Sequence, residues 1–202
     1  MCLNFLSYHA CLGSSVNVPT VERVSALAAH YAPVATPDAG VTLTEIGNLV
    51  LWQLAVWPES IERTASSVAG TLGIESMPGF CASVTSGAAA MLRIEPCKFW
   101  VFGAGLSEID AADGVVLDLS HSRTHIRISG REATTVLNSY LPLDLREQSF
   151  PVGAVASTAF HHVGVTLWRT EQGYELLAPR GFAVSLWELL AEASQQYGLE
   201  IR

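Results

Sequence analysis

Charge is scarce in this chain. Asp, Glu, Lys and Arg make up 15% of its 202 residues, against about 25% in an ordinary soluble domain. Half of the residues are hydrophobic and the mean hydropathy is +0.32, so a large apolar surface must be hidden. Long apolar runs are missing too. A membrane span takes about 20 consecutive apolar residues, whereas the stretch 49–57 (LVLWQLAVW) is interrupted by Gln53 and stopped by Pro58. The opening residues 1–12 are apolar but include Asn4, Ser7, Tyr8 and His9, and no Lys or Arg precedes them. The positive start of a secretory signal is therefore absent. No membrane association is expected, which leaves another protein chain to cover the apolar excess.

Basic residues are few. Eleven Lys and Arg face 19 Asp and Glu, the net charge is −8, and no basic run occurs. Nucleic-acid binding draws on Lys and Arg against phosphates, so no nucleic-acid partner is expected. Cysteine is limited to Cys2, Cys11, Cys81 and Cys97, with no C-x-x-C pair. These read as free thiols in a reducing compartment, and a soluble, cytoplasmic protein is expected.

Against these absences stand clear element signals. Residues 1–40 read as a leader punctuated by Pro19, Pro33, Pro37 and Gly40, partly disordered, with room for a short helix over 21–30. Residues 42–47 look like a polar approach segment, and 49–57 like a buried strand. Pro58 and the acids Glu59 and Glu62 mark a helix start. Ile61, Ala65, Val68 and Leu72 give the helical spacing up to Gly73. Strands are expected over 89–94 and 98–102, then 115–119 and 123–128, the last with Ile126 and Ile128 inward. A helix over 131–139 follows, then strands over 154–160, 163–169 and 174–178. A final helix spans 182–197, with Leu186, Leu189 and Leu190 on one side. Clustered strands without strict strand–helix alternation predict an α+β fold with mainly antiparallel sheet and packed helices. Residues 41–202 read as one α+β domain, in which two rounds of elements, 41–114 and 115–202, suggest a pseudo-duplication.

Motifs with chemistry are weak. Gly103-Ala104-Gly105 follows a strand, but Glu108 stands where a dinucleotide loop needs its third glycine and no helix pattern follows, so a plain turn is the better reading. His121 and His125 lie four apart around a strand start, and His161 and His162 are adjacent; neither spacing makes a metal pair. Asp118, Ser120 and His121 are the residue types of a hydrolytic triad, yet the serine sits beside its base in no exposed nucleophile turn. Asp118 and Arg123 read better as an ion pair or as partners of turn amides. Asp110, Asp113, Asp144 and Glu147 read as solvated loop acids. Trp52, Trp57, Trp100, Trp168 and Trp187 belong to a core or to an interface. No catalytic, cofactor-binding or metal-binding residue is expected in this chain.

The ordered segments 118–130 (DLSHSRTHIRISG), 141–145 (LPLDL), 150–154 (FPVGA) and 178–188 (APRGFAVSLWE) resemble the gamma subunit of heterotetrameric sarcosine oxidase. The earlier segments 41–45 (VTLTE), 54–58 (LAVWP) and 92–96 (LRIEP), with Phe99 and Trp100 behind them, are compatible. The resemblance implies a folate-binding aminomethyltransferase-like fold without catalytic residues. It implies alpha, beta and delta partners in a complex that oxidatively demethylates sarcosine. FAD, FMN, NAD and tetrahydrofolate would sit on the other subunits. A chain of this kind reports nothing about which N-methylated amino acid is used. Two other readings are a stand-alone folate-binding or one-carbon transfer module, and a small hydrolase using Ser120 and His121.

Overall fold

The computed structural model describes residues 24–30 and 32–202. Strand β1 (Val41–Glu45) opens the regular structure, with Val41 and Leu43 fully buried and Thr42 and Thr44 on the other face. Strand β2 (Leu51–Val56) follows. A short 3-10 turn then begins at Pro58 and leads into helix α1 (Ile61–Thr71), whose Ala65, Val68 and Ala69 form its buried stripe. Strands β3 (Ser83–Ser86), β4 (Ala89–Glu95), β5 (Lys98–Phe102) and β6 (Gly114–Asp118) complete one group. Strand β7 (Arg123–Ser129), helix α2 (Ala133–Asn138) and strands β8 (Val155–Phe160), β9 (Val163–Thr170) and β10 (Gly173–Pro179) come next. Helix α3 (Ala183–Gln195) and strand β11 (Leu199–Ile201) close the order.

Two sheets result. One has the order β11-β1-β7-β10-β9-β8, and the other β3-β4-β5-β2-β6. Every pairing is antiparallel except β1 with β11. Side-chain alternation along the strands assigns each face a layer. Ile126, Ile128 and Leu176 turn toward α2 and α3, where Leu137, Leu186 and Trp187 meet them. Leu54, Phe99 and Val101 turn toward α1. Leu51, Leu92, Trp100, Phe102, Val155 and Leu177 fill the space between the sheets. The architecture is thus helix, sheet, sheet, helices.

Strands cross between the groups. β1 lies in the six-stranded sheet, whose other strands all come from residues 123–201, and β6 closes the five-stranded one beside β2. A cut between residues 114 and 115 falls inside β6. The expected polar approach segment is the strand β1, and the helix expected over 21–30 is a run of turns over 26–30, its first residues lying outside the described residues. Leu27 is fully buried in the main core, and Val34 pairs with Ile201 beside β11. Residues 1–23 and 31 of the expected leader, Cys2 and Cys11 included, lie outside the described residues. Cys81 and Cys97 are free thiols. Among the described residues no helix is long and apolar enough to cross a membrane.

Candidate functional site

The site follows from strand parity. On β7, His125 and Arg127 share the face opposite Ile126 and Ile128. In the antiparallel register Arg127 stands opposite Glu175 and His125 opposite Leu177, while Trp168 on β9 stands opposite Glu175. These side chains therefore point at the other sheet, where Phe102 packs at ring-centroid distances of 5.9 Å from His125 and 5.5 Å from Trp168. Beside them a cleft of about 400 Å³ opens between the sheets, reaching Ser83, Thr85 and Gly87 on the β3 side.

Glu175 is 1% exposed and fully engaged. An ionised carboxylate only accepts, so His125 Nε2–H donates to Oε2 at 2.7 Å, and Arg127 Nε–H and Thr170 Oγ1–H donate to Oε1 at 2.7 and 3.1 Å. Burial pushes the Glu175 carboxyl up. The hydrogen bonds and charges of His125 and Arg127 together outweigh that, and the group titrates below the ordinary glutamate range. Trp168 Nε1–H donates to Ser83 Oγ at 2.8 Å, and Ser83 Oγ–H to Gly153 O at 2.9 Å, which ties the two sheets at the cleft floor. Both oxygens of the Glu175 carboxylate are thus engaged. The network's chemistry is that of a fixed, charge-neutralised wall, with Arg127 at the rim engaging Glu175 through Nε alone.

Of the residues singled out from sequence, His125 and Trp168 fall in this network, and the other polar candidates are placed elsewhere. Ser120 Oγ accepts from Leu51 N at 3.0 Å and sits 3.3 Å from Leu51 O, so the hydroxyl clamps the start of β2. Asp118 Oδ1 accepts from Ser120 N at 2.8 Å, the expected partner of a turn amide. His121 is exposed, and so are His161, in the left-handed region at the β8–β9 turn, and His162. Among the described residues no three His, Cys, Asp or Glu gather as metal ligands. Asp110 accepts from Ala112 N in its own turn. Asp144 is held far below the carboxylate range, first by its hydrogen bond from Arg146 and then by that from Ser149.

Gly103 follows β5 at φ +74°, and a Cβ there would stand 2.3 Å from Ala88 O. No helix follows it before β6. Gly103→Ala is expected to lose about 1–2 kcal/mol from left-handed strain alone, with the backbone clash added. Gly105→Ala, whose Cβ would meet its nearest atom at 3.9 Å, should melt like the parent. Equal thermal shifts for both variants would remove this account of the turn.

Sequence reading took the odd residues of β7 for a solvent face. What it missed is the sheet that covers them. The available signal was Glu175, the one charge within the otherwise uncharged strand GYELLAP.

A two-sheet sandwich of this build, with its helices outside, is that of the glycine-cleavage aminomethyltransferases. The GCVT N-terminal domain family matches residues 102–201. Aminomethyltransferase T of the glycine cleavage system from Bartonella henselae superposes on 81% of this chain and 48% of its own, with TM-score 0.56 at 19% identity, a likeness of fold alone. A chain of heterotetrameric sarcosine oxidase from Corynebacterium sp. U-96, solved with pyrrole 2-carboxylate, superposes with TM-score 0.72 at 26% identity, over 87% of this chain and 96% of that one. Sarcosine oxidase subunit gamma from Corynebacterium sp. strain P-1 is 32% identical over 79% of this chain and 83% of the relative. The subunit from Arthrobacter is 31% identical over 70% and 73%. The chain belongs to the family of sarcosine oxidase gamma subunits.

Proposed function

We propose that this chain is a non-catalytic subunit of a heterotetrameric sarcosine oxidase-type complex in the cytoplasm, joining alpha, beta and delta companions. The complex oxidatively demethylates sarcosine or a related N-methyl amino acid, with FAD, FMN, NAD and tetrahydrofolate on the other chains. The observation that carries the reading is the superposition over 96% of a chain from such a heterotetramer. The Glu175 network is consistent with it, because both oxygens of its buried carboxylate are committed to His125, Arg127 and Thr170.

The experiment is co-expression of the four chains. Stoichiometric co-purification with flavin-dependent sarcosine oxidation is the expected outcome. The chain alone should show no turnover. A companion-free chain that oxidises an N-methyl amine by itself would overturn the reading.

The match of residues 102–201 to the GCVT N-terminal domain favours a second reading, a folate-binding or one-carbon module that works alone. Calorimetric titration of the isolated chain with tetrahydrofolate separates the two: saturable heat supports the module, and a flat titration supports the subunit.

A further inference from the structure

Sheet edges are sites where a second chain can add, because their outer N–H and C=O groups have no ladder partner. Three of the four edges here are met from within the chain. β11 is flanked by Val34, which exchanges backbone hydrogen bonds with Ile201 at 3.2 and 2.9 Å. β3 and β8 are joined near their starts, where Ala82 bridges Ala154 and Val155 N donates to Cys81 O at 2.9 Å.

The edge strand β6 differs. Leu119 N donates to Leu51 O, and Trp57 N to Asp113 O. The odd residues thus bond inward to β2, and alternation turns the backbone of Val116 outward. That N–H and C=O have no partner among the described residues. The side chains are the second peculiarity. Edge strands are ordinarily protected by charge, proline or a bulge, yet β6 (GVVLD) carries its one charge, Asp118, only at its last position. Its Val115 and Leu117 are 56% and 52% exposed, and Trp57, on the same face through β2, is 50% exposed.

Charge identifies the occupant. The approach to β6 carries the exposed acids Glu108 and Asp110, and Ser60 Oγ–H bonded to Asp113 O brings Glu59 to the same corner. Arg63 at this corner is already paired with Asp113. A second copy of this chain would bring the same acids to the same place. A strand with basic flanks would be drawn to it.

We propose that the β6 edge receives an extended strand of a companion subunit, apolar at alternate positions and flanked by Lys or Arg, which extends the five-stranded sheet by one. This rests on the reading of the chain as one subunit of a larger complex. Val116 supplies the outward ladder bonds, Val115, Leu117 and Trp57 the apolar contact, and Glu59, Glu108 and Asp110 the steering charge.

The test compares the full-length chain with its Val115→Lys/Leu117→Lys variant, each co-expressed with the companions. The variant is expected to melt like the parent when alone and to assemble at least about tenfold more weakly. A Phe80→Lys control, exposed elsewhere, should assemble normally. Hydrogen exchange of the Val116 amide gives a readout without mutation: fast in the isolated chain, protected in the complex. Equal assembly by the double variant, or an unprotected Val116 in the complex, overturns the edge assignment while leaving the subunit reading intact. Failure of the parent chain itself to assemble removes both. If the lysine pair fails to fold, Val115→Thr/Leu117→Thr and the exchange measurement decide. A homodimer of the isolated chain that the double variant dissolves would assign the edge to self-association and reject the companion.

Discussion

Glu175→Ala is expected to destabilise the chain by about 3 kcal/mol, the low end of the range for breaking a buried ion pair. The low end applies because Arg127 is 29% exposed and can turn toward water once its partner is gone, while His125, at 8%, cannot. In a domain of this size that is a fall of roughly 6–12 °C in the melting midpoint. Glu175→Gln keeps the shape and loses the charge, so it should fall between the variant and the parent. The sign of the pH dependence is fixed by the depressed carboxyl. The unfolded chain takes up its proton near pH 4.3, about the ordinary glutamate value, and the folded chain only below that. The stabilisation is complete above the unfolded value and is lost as pH falls through the folded one. The gap in melting temperature between parent and Glu175→Gln should therefore hold from about pH 7 to 5 and narrow as the pH falls below the unfolded value. A gap that stays constant through that acid range would show that Glu175 is not the ionised centre of the network.

Trp187→Ala is expected to cost about 3–5 kcal/mol, as for a large aromatic removed from a packed site. Trp187 is 2% exposed on α3 and belongs to the cluster that joins this helix to the six-stranded sheet. The loss should appear as a lower guanidinium midpoint with an unchanged slope. An unshifted midpoint would mean that α3 does not seat its indole against the sheet. The same variant also bears on the apolar excess of the sequence. Trp100 and Trp187 are core residues, and much of the hydrophobic material is hidden between four layers.

What the sequence disclosed depends on the length and parity of each element. Helices α1 and α3 were legible because eleven and thirteen residues repeat the apolar spacing of one face. Their bounds differ from expectation by a few residues, since a 3-10 turn precedes each. Strands β2, β4, β5, β9 and β10 were legible as short Val-, Leu- and aromatic-rich runs between turn residues. The strand β1 was passed over because VTLTE holds only two large apolar side chains, both on one face. β3 is SVTS, and β11 has three residues. Neither is long enough to show a period.

The site was hidden for a different reason. His125 and Glu175 are fifty positions apart, and what unites them is register between neighbouring strands, which no local pattern encodes. A run such as RTHIRI looks half-solvated whether water or a second sheet lies on its polar side. The family resemblance in residues 118–130 pointed to the same strand without revealing its partner. The exposed row on β6 was likewise legible as a strand but not as an edge, because edge position is a property of the completed sheet.

The pairing of β1 with β11 has a consequence for how the protein is made. Thr42 Oγ1 donates to Glu200 Oε2 across 158 positions of chain, so β1 must wait for residues synthesised that much later before its neighbour β11 exists. Until then Leu43 and its neighbours lack one flank, and contacts this remote in sequence form slowly. Translation in the company of the proteins that will surround it, or of a chaperone, would shelter the nascent chain during that interval.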